Sequence, residues 1–406
     1  MIHAARSTLI RSIGAVAMSG ALAVALGACG GSEVEGKAAG AKPDLSNLDV
    51  GNYQAEPVEL GNAKNDKQAR IRESQRLADY VALPFEIDPA FVEHDPGRGF
   101  TSNVVLDNDA MADLVINDTF DEVAEDIVAG WINSWTTTAS GDEPARDLHI
   151  AVMMFPDART AEDVAATLEH DDFTYNTQNE PVALPKYPAT KSHWRPGISS
   201  IGSWTSHDQF VVFVKYVDET SAPHLPNLTA QVERVLDYQL PLLEKFEPTP
   251  AADLDRIALD PDKLLGRTLP TDPETATSPT PSGVYQGRGA FHALTFSTMD
   301  FIQENGVEAI AVGESIVFRT REVEGAQRLW NTWKPSADED GPGRAAEAPK
   351  GVEGSVECYT RTSEEGADLG SYCVLQTGRY VSYVASPQIQ DLHQRVAAQY
   401  AMLVSE

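Results

Sequence analysis

The chain has 406 residues, a formal net charge of -30 and 42% hydrophobic residues. Such acidity argues against binding a phosphate backbone, which needs Lys and Arg, so no nucleic-acid partner is expected. It also disfavours adhesion to an anionic lipid surface. The apolar fraction is sufficient for a real core, and the length suits two or three domains.

Residues 1–28 carry Arg6 and Arg11, no acidic residue, and a largely apolar run of 16 residues from Ile13 to Ala28. A basic start before a short apolar core is the pattern of a secretory signal, and the run is short for a membrane span of roughly 20 residues. Leu26-Gly27-Ala28-Cys29 then fits a lipobox: an aliphatic residue, two small residues and a cysteine. The reading is a signal peptide over 1–28, cleaved before Cys29, whose thiol carries a diacylglyceryl anchor outside the cytoplasmic membrane. Two or more acyl chains hold firmly where one is marginal. Residues 29–47, rich in Gly, Ala and Lys, read as the lipidated tether.

The remainder divides into an N-terminal domain (48–247), a linker (248–286) rich in Pro, Thr and Asp and extended at its 271–282 end, and a C-terminal domain (287–406). A helix is expected near Asp66–Tyr80, and "YVALPFEIDP" reads as a strand stopped by Pro89. Beyond it the chain repeats itself. "GRGF" (97–100) recurs as "GRGA" (287–290), "MADLVIND" from Met111 as "MDFIQENG" from Met299, and Asn117 matches Asn305. "FPDARTAEDVAATL" (155–168) resembles "FRTREVEGAQRLW" (318–330), "DQFVVFVKYVD" (208–218) matches "GRYVSYVAS" (378–386), and "ERVLDYQLPLL" (233–243) matches "QRVAAQYAMLV" (394–404). Ala161, Val164, Ala165 and Leu168 form one helical stripe; Val323, Ala326, Trp330 and Trp333 form its counterpart. Met111 and Met299 are 188 apart and Phe155 and Phe318 163 apart, so the first half holds 25 extra residues. They read as an inserted helix, with Thr119-x-x-Glu122 as capping box and Val123, Ile127, Trp131 and Trp135 as apolar stripe. The expected fold is α+β: two diverged repeats, each an antiparallel sheet with helices packed on one face.

If Cys29 is lipidated, Cys358 and Cys373 remain, 15 apart in an oxidising compartment, and a disulfide is expected between them. A metal pair lacks a histidine nearby. The search for catalytic constellations names no enzyme. "GISSIG" (197–202) misses the G-x-S-x-G spacing of a hydrolase elbow, and "GRGAFH" lacks the third glycine of a dinucleotide fingerprint. No zinc spacing occurs, and no cofactor or metal is expected. Asp107, Asp109 and Asp113, or Asp338, Glu339 and Asp340, offer oxygens to calcium, but neither completes an EF-hand, and solvated charge is the simpler account. Arg98 and Arg288, at equivalent GRG turns, are candidates to grip an anionic ligand; Gly-Arg-Gly is also an ordinary turn. His193, Trp194 and Trp204 lie where they could line a groove, although core packing is the default.

The lipobox, "LDVGNYQAEPVELGNA" (48–63), "ESQRLADYVALPFEIDP" (73–89) and "VFRTREVEGAQRLW" (317–330) resemble the large, uncharacterised two-domain lipoproteins of mycolate-bearing actinobacteria. That resemblance spans the mature chain and brings no catalytic residues. The second half also resembles the extracellular sensor domains of actinobacterial Ser/Thr kinases in its order of strands, helices and cysteines. It departs from them in having no kinase domain, and the first half lacks both cysteines. The functional expectation is a non-enzymatic envelope lipoprotein that binds a small molecule or protein partner; an extracytoplasmic hydrolase and a structural or assembly factor are the alternatives.

Overall fold

The structure is a computed structural model and describes residues 45–91, 103–111, 114–115, 119–138, 143–270, 282–294, 300–336 and 341–405. Cys29, Arg98, Asn117, Met299, Asp113 and the 271–281 and 337–340 stretches lie outside the described residues.

In the first half, α1 (Asp66–Leu77), α2 (Pro84–Ile87), β1 (Asn103–Val104), α3 (Phe120–Val123), β2 (Ala129–Thr136) and β3 (Arg146–Met154) precede α4 (Ala158–Tyr175). Then come β4 (Glu180–Pro181), β5 (Lys191–Trp194), β6 (Ser200–His207), β7 (Phe210–Asp218) and α5 (Leu225–Leu243). The second half runs β8 (Gly283–Tyr285), α6 (Gly287–Leu294), α7 (Asp300–Asn305), β9 (Val307–Val312), β10 (Ser315–Thr320) and α8 (Val323–Trp333). It closes with β11 (Gly343–Ala346), β12 (Ser355–Thr362), β13 (Asp368–Thr377), β14 (Tyr380–Ser386) and α9 (Ile389–Val404).

The duplication is visible in the topology. The first sheet is ordered β1-β2-β3-β7-β6-β5-β4 and the second β8-β9-β10-β14-β13-β12-β11, with every pair antiparallel. The β6–β7 and β13–β14 turns place Asp208 (φ 49°) and Gly378 (φ 51°) at the same corner. Backbone pairing corrects one register. Phe155 donates to the Gln209 carbonyl and Thr320 to that of Arg379. Phe155 is therefore equivalent to Thr320, two residues beyond Phe318.

The α+β class and the two sheets are as expected, but helices cover both faces of each sheet. In β7, Val211 and Phe213 face the α4 stripe of Ala161, Val164, Ala165 and Leu168, while Val212 and Val214 face Val232 and Val235 of α5. A continuous apolar run is what a strand buried on both faces requires. In the second half, Ala326, Leu329, Trp330 and Trp333 form the buried stripe of α8, and Val323 is exposed. α9 covers the opposite face with Leu392, Val396, Tyr400 and Leu403.

Two other expectations change. The inserted helix is only the single turn α3, which has no side-chain cap, and Trp131 and Trp135 lie on β2. A spacing of four is even, so it also marks one face of a strand. "YVALPFEIDP" is helical at its centre, because Pro84 opens α2 and the Glu86 carboxylate caps the Leu83 amide at 3.1 Å.

One apolar cluster runs through both halves, from Ile150 and Val214 through Trp131, Tyr285 and Phe291 to Phe318 and Tyr383. α1 bridges the two sheets: Ser74 Oγ accepts from Gly130 N at 3.0 Å, and Arg72 donates to the Val284 carbonyl at 2.9 Å. The described part of the linker is also ordered against the chain before α1, with Val58 donating to Gly266 and Leu259 to Gly61. Residues 45–53 pack on the second half, where Leu48, Val50 and Tyr53 join the clusters under α9.

Candidate functional site

Antiparallel pairing carries one row of polar side chains across the first sheet. Ser134 pairs with His149, His149 with Lys215, Lys215 with Gly202, and Gly202 with His193. The next row on the same face is Ile132, Ala151, Phe213 and Trp204, all buried. A polar row beside an apolar one, both beneath α4, departs from a simple sheet-and-helix core.

α4 supplies the counter-charges. Glu169 Oε1 is 3.1 Å from His193 Nδ1, and Asp172 Oδ2 is 3.6 Å from His193 Nε2. Both ring nitrogens face a carboxylate: an imidazolium can donate to both, a neutral ring to one. Gly202 lies directly beneath this pair: a Cβ there would sit in ordinary van der Waals contact, 3.7 Å from Asp172 Oδ2 and 3.8 Å from His193 Nε2. Lys215 Nζ donates to the Leu114 carbonyl at 2.7 Å, and His149 Nδ1 lies 2.8 Å from Ser134 Oγ.

Desolvation dominates the titration of this group. Burial pushes the Asp172 carboxyl above the usual carboxylate range, against the pull of His193, Lys215 and the Trp204 indole. Burial pulls the Lys215 ammonium down, with Asp172 opposing. His149, wholly enclosed, falls to about 3, first through burial and then through Lys215. At neutral pH it is an uncharged, hydrogen-bonded core side chain.

Over β12, β13 and β14 the equivalent row in the second half is apolar and aromatic. Tyr359 pairs with Tyr372, and Tyr372 with Ala385, at the places of His193, Gly202 and Lys215. Tyr372 and Tyr383 stack with centroids 5.2 Å apart, and the Arg361 guanidinium lies 5.1 Å from the Tyr372 ring. Cys358 and Cys373, one pair along on β12 and β13, form a disulfide under α9.

The other sequence candidates separate. Arg288 sits at the joint between the halves, where its Nε and Nη2 donate to the two oxygens of Glu86 at 2.8 Å each. Asp79 accepts from its amide at 2.7 Å at the start of α6. Gly287 is required there: its φ is 45°, and a Cβ would overlap Asp79 Oδ1 at 2.1 Å. Asp107 precedes, and Asp109 lies within, the single 3-10 turn Asn108–Ala110. Among the described residues, no group of three or more His, Cys, Asp or Glu is placed to hold a metal. An open groove of about 540 Å³ runs between α3 and α4, lined by Thr119, Glu122, Asp163 and Asp171 among others. His193 and Trp204 were candidates from sequence. Glu169, Asp172 and Lys215 were not, since only strand pairing and the reach of α4 bring them together.

Two family models match the chain: "Domain of unknown function (DUF7373) N-terminal" over residues 60–259 and "Domain of unknown function (DUF7373) C-terminal" over residues 264–406. The chain belongs to the DUF7373 family. The two DUF7373 models divide it between the two sheets, leaving residues 45–59 outside both. No curated protein matches the chain. Among solved structures, it is similar to the extracellular domain of PknH from Mycobacterium tuberculosis, at 14% identity and a TM-score of 0.27. That likeness covers 40% of this chain and 96% of the PknH domain. At such a score it carries no argument about function. No helix among the described residues is long and apolar enough to cross a membrane.

Proposed function

We propose that this DUF7373 chain is an exported envelope lipoprotein, anchored through Cys29 to the outer face of the cytoplasmic membrane, that binds a ligand or protein partner there without catalysing a reaction. The lipobox and the resemblance to lipoproteins of mycolate-bearing actinobacteria support the anchor. The Cys358–Cys373 disulfide supports an oxidising compartment.

The observation that carries the binding reading is the polar row of the first sheet. The second half closes the same topology with Tyr359, Tyr372 and Ala385. The fold therefore does not need Asp172, His193 and Lys215, and burying their charges is costly. A partner that meets the end of α4 where it lies over β5, near the β4 edge of the sheet, gives that cost a purpose. Arg288 stands outside this site, because Glu86 occupies its guanidinium.

The test is to use the intact lipoprotein as bait on envelope extract, beside an Asp172→Asn/His193→Gln variant with an unchanged urea midpoint. Mass spectrometry of bound proteins and small molecules should find a species retained by the natural chain and lost from the variant. Identical sets on both would refute the site. Cys29→Ala should move the protein out of the membrane fraction, and continued membrane association would refute the anchor.

A further inference from the structure

The order of the sequence suggests that the first half stands next to the anchor. The geometry points to the opposite arrangement: we infer that the second half is the membrane-proximal one and that the first half, with its polar row, faces away from the bilayer. This rests on the lipid-anchor reading above.

Leu45–Asn47 form a single 3-10 turn, and Asn47 lies against Gly351 of the second half. Leu48 joins Tyr400 and Leu403 of α9 in one apolar cluster. Gln394 donates to Asp49 at 3.2 Å, Tyr53 donates to Asp391 at 2.5 Å, and Arg395 Nε donates to the Tyr53 hydroxyl at 3.0 Å. The Arg395 guanidinium also lies 5.3 Å from the Tyr53 ring centroid. Val58 then bonds to Gly266 and Ala63 to Ile257. The chain meets the first sheet at α1, where Ser74 Oγ accepts from Gly130 N.

Residues 45–63 are thus a strap that leads from α9 of the second half toward the joint. A lipid on Cys29 has 16 residues to reach Leu45, a distance of at most about 55 Å even fully extended. Whatever conformation those residues take, the pull of the anchor is delivered to α9 and the Gly351 turn. Along the described chain, contacts to the second half come before those to the first sheet.

The experiment uses the full lipidated chain in phosphatidylethanolamine–phosphatidylglycerol vesicles that carry a headgroup energy acceptor. Donor dyes are placed through Lys350→Cys, beside Gly351, or Tyr175→Cys, at the exposed end of α4, with the disulfide kept oxidised. Both positions are exposed, so the fold is retained. The expected result is several-fold stronger energy transfer from the Lys350→Cys label. Equal or stronger transfer from the Tyr175→Cys label, in protein that floats with the vesicles, would overturn the inference while leaving the anchor intact. Protein that fails to float would overturn the anchor and the orientation together.

Discussion

At one place on two equivalent sheets, the first half carries His193, Gly202 and Lys215 and the second carries Tyr359, Tyr372 and Ala385. The strand order is the same on both sides, so topology does not dictate the chemistry of this row. What differs is how each half secures its outer strands. The second half uses stacked rings and a covalent bond between β12 and β13. The first uses one imidazole between two carboxylates and a lysine that holds the Leu114 carbonyl. Rings and disulfides are indifferent to pH, whereas the charged row is not.

Three measurements sharpen or break this contrast. The largest effect is expected from the covalent bond: Cys358→Ser/Cys373→Ser should cost about 3 kcal/mol in urea unfolding. A loss well below that would show that the aromatic row alone secures the second half. Next is Lys215→Met, which leaves the Leu114 carbonyl and Asp172 without their cation and should cost about 2 kcal/mol. Combining it with Glu169→Leu, Asp172→Leu and His193→Phe should recover stability to within about 1 kcal/mol of the natural chain, because an apolar replacement of a whole buried charge group is often neutral. If the four losses simply add, the row is not one network. The smallest effect is a pH slope. Asp172 has a raised carboxyl pKa in the fold, so its stabilising contribution is complete below the unfolded value of about 4 and is lost as pH rises through the folded value. Asp172→Asn should flatten that decline when urea midpoints are followed from acid to neutral pH, and an unchanged slope would remove Asp172 from the account.

The duplication was legible because each half keeps its apolar strands and closing helix in order. The disulfide was legible from cysteine arithmetic. Register was less so: aligning Phe155 with Phe318 matched like residues, while the backbone equates Phe155 with Thr320. Trp131 and Trp135 misled because a spacing of four serves a helix and one face of a strand equally well. The polar row was hidden, since Asp172, His193 and Lys215 lie 21 and 22 residues apart and meet only through strand pairing and the end of α4. Helices on both faces were foreshadowed by "FVVFVKYV", whose unbroken apolar character leaves no solvent side.

The hydrogen bond from Tyr53 to Asp391 joins residues 338 positions apart. Together with Leu48 on α9, it makes the chain a closed circuit whose first segment is fastened by its last helix. Such a contact cannot form as the chain emerges stepwise until Asp391 has appeared, and contacts of long sequence separation are slow to form. Until then Leu48, Val50 and the face of the second sheet beneath α9 remain uncovered, so the chain has a late and vulnerable step, the one at which a chaperone would matter most.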